Sequence, residues 1–240
     1  MSKRIIVIAG PASAGKTASL RDLENQKRVL FLHCEAGKDI PFKNNFHIEH
    51  ITDPLDIPDL IADAEESGNY DTVVIDSLTM MMELYESVHV TGSADTRAAW
   101  GEYANFFKDL MQQYIGPSEM SFILLAHLDF EVIEEGEPPV YFIPVKGALK
   151  KIGLAAYFGQ IVVATKLPIK SIKCRNDLLN ITPKEEAVKF KYVFQTQITA
   201  SSTGSVIRGP FDMWSDDEVY IDNNAQHLLD ALEDYYGDSE

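Results

Sequence analysis

Residues Gly10-Pro11-Ala12-Ser13-Ala14-Gly15-Lys16-Thr17 follow the spacing G-x-x-x-x-G-K-[ST], the pattern of a loop built to cradle phosphate. Glycines at its two ends let the backbone turn N–H groups inward and approach an anion closely. Lys16 adds a charge that reaches the β- and γ-phosphates, and Thr17 adds a hydroxyl for Mg²⁺. Gly10, Pro11, Ala12, Ser13, Ala14, Gly15, Lys16, Thr17 and Ala18 are therefore the expected contacts to a nucleoside triphosphate, with ATP and Mg²⁺ as cofactors. A second segment, Tyr70-Asp71-Thr72-Val73-Val74-Ile75-Asp76-Ser77, ends an apolar run in a carboxylate. Asp76 joins Thr17 as an expected metal residue, holding the ion through water, although an Asp at a strand end also serves turns and caps. Ser77 suits a helix cap. No Glu follows Asp76, so the base for hydrolysis must come from elsewhere. Glu35 ends another apolar run and is the candidate to orient and deprotonate water; the same position suits a solvated loop glutamate.

These residues need strands and helices to bring them together. Residues 5–9 and 29–34 are apolar and rich in β-branched side chains, as in strands buried on both faces. Residues 72–75, closing on Asp76, and 122–126, closing on His127, read the same way. Residues 46–51 alternate like a half-exposed strand. Helices are expected over about 16–24, 53–67 (opened by Asp53-Pro54 and stopped by Gly68-Asn69), 78–88 and 97–115. Strands alternating with helices predict an α/β fold, a mostly parallel sheet covered on both faces. Beyond His127 the pattern changes. Residues 129–145 carry five carboxylates, Gly136 and paired prolines, and read as a long hairpin or loop. Residues 160–166 and 189–199 look like antiparallel strands at one sheet edge, and 224–236 like an amphipathic terminal helix.

The succession of P-loop, strand closing on Cys34-Glu35, Val74-Ile75-Asp76-Ser77-Leu78-Thr79 and Leu124-Leu125-Ala126-His127 resembles the RecA-type ATPase core, and most closely the small phage RecA-like ATPases. The resemblance covers about residues 4–208. It implies a polar γ-phosphate sensor at His127, which could otherwise be a strand-end histidine with satisfied hydrogen bonds. It also implies a basic residue acting on a neighbouring subunit's nucleotide, for which Arg208 is the candidate, the alternative being a surface arginine balancing Asp212. A ring or filament of identical subunits follows, with single-stranded DNA and a single-strand-binding or replication protein as further partners. Two DNA loops are implied. The first, residues 91–97, contributes Arg97. The second follows Asp129, where Glu131, Glu134, Glu135 and Glu137 are unfavourable beside phosphates. Lys146, Lys150 and Lys151 offer a basic cluster next to it, which could equally be a solvated face. Lys166, Lys170, Lys173 and Arg175 extend the basic run, and aromatic interleaving is thin (Tyr141, Phe142, Tyr157, Phe158).

Composition narrows the classes further. The chain has 240 residues, 45% of them hydrophobic and 24% charged, ordinary for one large α/β domain and unlike a disordered or collagen-like chain. The net charge is −16, and residues 209–240 hold ten carboxylates and no Lys or Arg. That favours an ATPase core over 1–208 followed by an acidic segment with an amphipathic helix, and disfavours a protein coating duplex DNA throughout. Two distant cysteines, Cys34 and Cys174, argue for reduced thiols and against a disulfide or zinc scaffold. The short apolar run near the N-terminus does not resemble a signal peptide, and no segment is long and apolar enough to span a membrane. A cytoplasmic location, in a bacterial host if the chain is of phage origin, is expected. The function expected is ATP-dependent single-stranded DNA binding in recombination, replication or repair. The alternative is an ATP-driven regulatory or scaffolding protein that binds a protein partner and no DNA. A small-molecule kinase is disfavoured because the insertion after His127 is acidic where a lid over phosphate should be basic.

Overall fold

The computed structural model describes residues 3–133, 135–136, 138–173 and 175–237. Glu134, Glu137 and Cys174, named above, lie outside the described residues, as do Asp238 and Glu240 among the ten C-terminal carboxylates. The apolar runs form β1 (Ile5–Gly10), β2 (Val29–His33), β4 (Thr72–Asp76) and β5 (Ser121–His127), with β3 (His47–His50) exposed at an edge. Later strands are β8 (Ile161–Pro168), β9 (Phe190–Gln195) and β10 (Tyr220–Asp222). These eight join in the order β10-β9-β8-β1-β5-β4-β2-β3. From β8 to β3 all neighbours are parallel, so their carboxyl ends share one edge. The α/β, mostly parallel architecture with antiparallel edge strands, that of a P-loop nucleotide-hydrolase core, is the one expected.

Both faces are covered, which explains why the central strands are apolar throughout rather than alternating. On one face Val7, Leu32, Ile75, Leu124 and their neighbours pack against α1 (Ile57–Ser67), α2 (Leu78–Tyr85) and α3 (Thr96–Asp109). On the other, Ile6, Ile8, Phe31, Val74 and Leu125 pack against Leu20 and against Leu228, Leu229 and Leu232 of the C-terminal helix, Ala225–Gly237. Helix entries follow local chemistry. The Asp53 carboxylate accepts from Leu55 N at 3.0 Å, Ser77 caps α2, and Asp95 caps α3 by accepting from Ala98 N at 3.0 Å. Gly68 closes α1 at φ 62°.

Two expectations are corrected. The helix after the P-loop is a 3₁₀ helix over Thr17–Asp22, not an α-helix over 16–24. The Ser19 hydroxyl takes the Lys16 carbonyl at 2.6 Å, and Thr, Ser and Asp compete with α-helical bonding in this short stretch. β8 is not antiparallel throughout: it runs parallel to β1, pairing Val7 with Ile161, and only β9 reverses on it. The chain returns to the sheet's far end through α4 (Leu149–Ile152) and a turn at Leu154–Tyr157, which is what a parallel crossover requires. In keeping with the hairpin reading of 129–145, β6 (Asp129–Glu131) and β7 (Val140–Phe142) pair with each other and not with the main sheet. After residue 208, β10 extends the sheet, and the amphipathic helix expected over 224–236 is α6 (Ala225–Gly237), which covers a face. On that helix Asp230 and Asp234 are exposed while Leu228, Leu229 and Leu232 are buried.

Candidate nucleotide site

The parallel register sets the site. Gly10 pairs with His127, Leu125 with Asp76, and Asp76 with His33, so the chemically active residues emerge side by side at the carboxyl edge. They line a cavity of about 1000 Å³ that includes Ala12 to Ala18, Glu35, Asp76 and His127. Two glycines of the loop are fixed by geometry. A Cβ on Gly10 would stand 2.5 Å from the Ala164 carbonyl oxygen of β8, and Gly15 has φ +90°, where a side chain is strained.

Lys16 is 7% exposed, and its Nζ donates to the carbonyls of Gly10 at 2.9 Å and Pro11 at 3.0 Å. Burial lowers its pKa to about 8, against the opposing pull of Asp76 and Glu35. An arriving phosphate would replace two neutral carbonyls with full negative charge. Thr17 Oγ1 donates to Asp76 Oδ2 at 2.9 Å. Asp76 is 3% exposed, and burial raises its pKa above the ordinary carboxylate value. A buried carboxylate beside a hydroxyl suits Mg²⁺, and the cation would relieve the desolvation that now disfavours the charged form. Among the described residues no cluster of three or more His, Cys, Asp or Glu is arranged to hold a metal by itself.

Glu35 stands two residues beyond β2, where Oε2 accepts from Lys38 Nζ at 2.6 Å and Oε1 lies 3.3 Å from His127 Nε2. The His127 hydrogen bond, reinforced by Lys38, pulls the carboxyl down to about 2 despite partial burial. His127 Nδ1 lies 3.4 Å from Lys16 Nζ. An ammonium can only donate, so Nδ1 accepts and Nε2 carries the proton toward Glu35. His127 thus bridges the phosphate-binding lysine and the candidate base. Thr79 Oγ1 fixes the strand end by accepting from His127 N at 3.1 Å, and Ser77 Oγ reaches Glu35 Oε1 at 3.4 Å.

The structure thus brings together the P-loop, Thr17, Asp76, Glu35 and His127. It does not bring Arg208 to them. Arg208 pairs with Ile161 through two backbone hydrogen bonds, 2.9 and 3.0 Å, its side chain is exposed, and it does not line the cavity. Arg97 is exposed near the start of α3. Lys146 is tied to Glu86 at 2.8 Å, while Lys150 and Lys151 are exposed on α4. Sequence reasoning missed the far wall of the cavity, where Phe190, Lys191, Tyr192, Asp222 and Asn223 face the P-loop. A capping-box pattern, Thr182-x-x-Glu185, marked the short α5 (Pro183–Val188) beside it and was the available signal. Lys38 and His33 were missed too. His33 Nε2 lies 2.7 Å from the Lys38 carbonyl, fixing the loop that carries Lys38 to Glu35.

No curated protein matches the chain in sequence. A family model described as an AAA domain matches residues 2–146, more than half of the chain. That span contains β1 to β7 and with them the P-loop, Glu35, Asp76 and His127. By a match that takes in the whole phosphate side of the cavity, the chain belongs to the AAA-domain family, a P-loop domain of ATPase type.

Proposed function

We propose that this protein binds ATP with Mg²⁺ at the P-loop and hydrolyses it. The observation that carries the reading is the convergence of Lys16, Thr17, Asp76, Glu35 and His127 in one cavity at one sheet edge. Lys16 neutralises the β- and γ-phosphates, while Thr17 and Asp76 would hold Mg²⁺, which supplies further charge neutralisation when bound. Glu35 orients the attacking water and accepts its proton. His127 senses the γ-phosphate, since a phosphate that draws Lys16 away changes the partner at Nδ1 and, through the ring, the hydrogen bond at Glu35.

Hydrolysis in this reading serves single-stranded DNA binding by a RecA-like assembly, in recombination, replication or repair of phage type. Lys150 and Lys151 support it: both are exposed on α4, just past the hairpin that follows the sensor strand. A protein partner is the second reading. It is favoured by the hairpin itself, which exposes Phe130, Val132 and Ile133 at 58%, 62% and 69% beside Asp129 and Glu131. Apolar side chains among carboxylates suit a protein surface better than phosphates.

The test is ATP turnover with and without a single-stranded oligonucleotide, together with oligonucleotide binding across salt concentrations. Stimulated turnover and binding that weakens steeply with salt are expected, and Lys150→Ala with Lys151→Ala should flatten that salt dependence. No oligonucleotide binding at low salt with ATP present excludes DNA and leaves the protein-partner reading. No turnover under any of these conditions, with Lys16→Ala binding ATP as tightly as the unmodified chain, sinks the P-loop reading.

A further inference from the structure

The wall of the cavity facing the P-loop is made by residues beyond the AAA-domain match, which ends at residue 146. Two observations single out the part beside Gly15. Asn223 is 4% exposed and lines the cavity, yet its buried Nδ2 has no hydrogen-bond partner. Buried amide donors are nearly always satisfied, and this one belongs to a residue of the cavity wall and has no acceptor from the chain. Tyr192 also faces the cavity and remains 37% exposed, in an edge-to-face pair with Phe190 at 5.7 Å. Both side chains flank the same P-loop residue: a Cβ built on Gly15 would meet Tyr192 Cδ1 at 3.0 Å and Asn223 Oδ1 at 3.1 Å.

The wall is held firmly. Lys191, between the two aromatics, is nearly buried and forms ion pairs with Glu185 and Asp222, both at 2.9 Å. It also donates to the Asn180 carbonyl at 2.8 Å. These contacts join β9, β10 and α5, so the orientation of Tyr192 and Asn223 is set before any ligand arrives.

We propose that Tyr192 and Asn223 form the nucleoside-recognition wall of the site. The base stacks on Tyr192 with Phe190 at its side, and the Asn223 amide donates to a nitrogen or oxygen acceptor of the nucleoside. The inference rests on the P-loop holding the triphosphate of the same ligand. An aromatic face and an uncharged amide fit a flat, neutral heterocycle, whereas the phosphates gain from the charge of Lys16.

Calorimetric titration of the full chain with ATP and with inorganic tripolyphosphate, each with Mg²⁺, separates the two halves of the site. The unmodified chain should bind ATP more tightly than tripolyphosphate. Tyr192→Ala should weaken ATP about tenfold or more, leave tripolyphosphate unchanged, and be largely rescued in Tyr192→Phe. Asn223→Ala should weaken ATP in the same selective way, which keeps the test open if Tyr192→Ala does not fold. Equal affinity of the unmodified chain for the two ligands, or ATP affinity unchanged in both alanine variants, overturns the nucleoside wall while leaving the P-loop intact. If neither ligand binds the unmodified chain, the P-loop reading fails and the wall falls with it.

Discussion

Glu35 is held from two sides before any substrate is present, by Lys38 and by His127. A carboxyl drawn down to about 2 is ionised throughout the neutral range, which a base must be, but it is also a weak proton acceptor. Its basicity should therefore rise when Lys38 lets go, and Lys38→Met should move the acid limb of the turnover–pH profile upward. Glu35→Gln keeps the shape and removes the base. Turnover should fall roughly 10²–10⁴-fold with ATP affinity nearly unchanged, as read by steady-state kinetics and titration. Turnover at the unmodified rate would return the base to another carboxylate, with Glu83 and Glu86 on the helix after Asp76 next in line. Lys16 gives a second pH dependence of opposite character. In the free protein it loses its proton near about 8, while bound phosphate favours the charged form. ATP affinity should be full below that value and decline as pH rises through it. Folding behaves the other way: the unfolded lysine keeps its proton up to about 10.5, so the folded state gains stability relative to the unfolded state between these two values. A parallel series of ATP titrations and denaturant melts over this range should show the two trends diverging.

At the scale of elements, the strands that carry the site were legible because each is a continuous apolar run closed by a polar residue. Glu35, Asp76 and His127 stood out for that reason. The wall carrying Tyr192 and Asn223 was not legible. It comes from short elements whose pairing is long-range, β9 on β8 and β10 on β9, and from an asparagine with no motif around it. The C-terminal helix was legible from the spacing of its leucines, whereas a count of carboxylates does not show which face of the sheet it covers. Leu228, Leu229 and Leu232 are all at most 4% exposed and close the core over β1 and β5. Leu228→Ala should accordingly lower stability by about 2–5 kcal/mol, the usual range for a buried Leu truncation. The unfolding transition should stay single, because the helix shares its core with the P-loop strand. A separate early transition in denaturant would show that the segment folds by itself.

At the scale of the whole molecule the cavity contains the P-loop, a candidate base and a candidate sensor; among the described residues Arg21 lines it and Arg208 does not. Arg208 is the last basic residue of the sequence, and β8 holds its backbone at Ile161, three residues along the strand register from Gly10 toward the opposite edge. A side chain exposed there can serve a nucleotide only across an interface between copies. The physical gain is definite: phosphoryl transfer spreads charge over the equatorial oxygens, and a guanidinium supplied by a neighbour is worth about 10³–10⁵ in rate where such fingers operate. Activity should then depend on assembly, with specific turnover rising with protein concentration. Arg208→Ala and Glu35→Gln proteins should each be nearly inactive alone. Mixed, they should recover part of the activity, since some interfaces then join an intact Arg208 from one subunit to an intact Glu35 in the next. Full turnover by Arg208→Ala alone, or no recovery in mixtures shown by sedimentation to co-assemble, would assign Arg208 to the surface, where it balances Asp212.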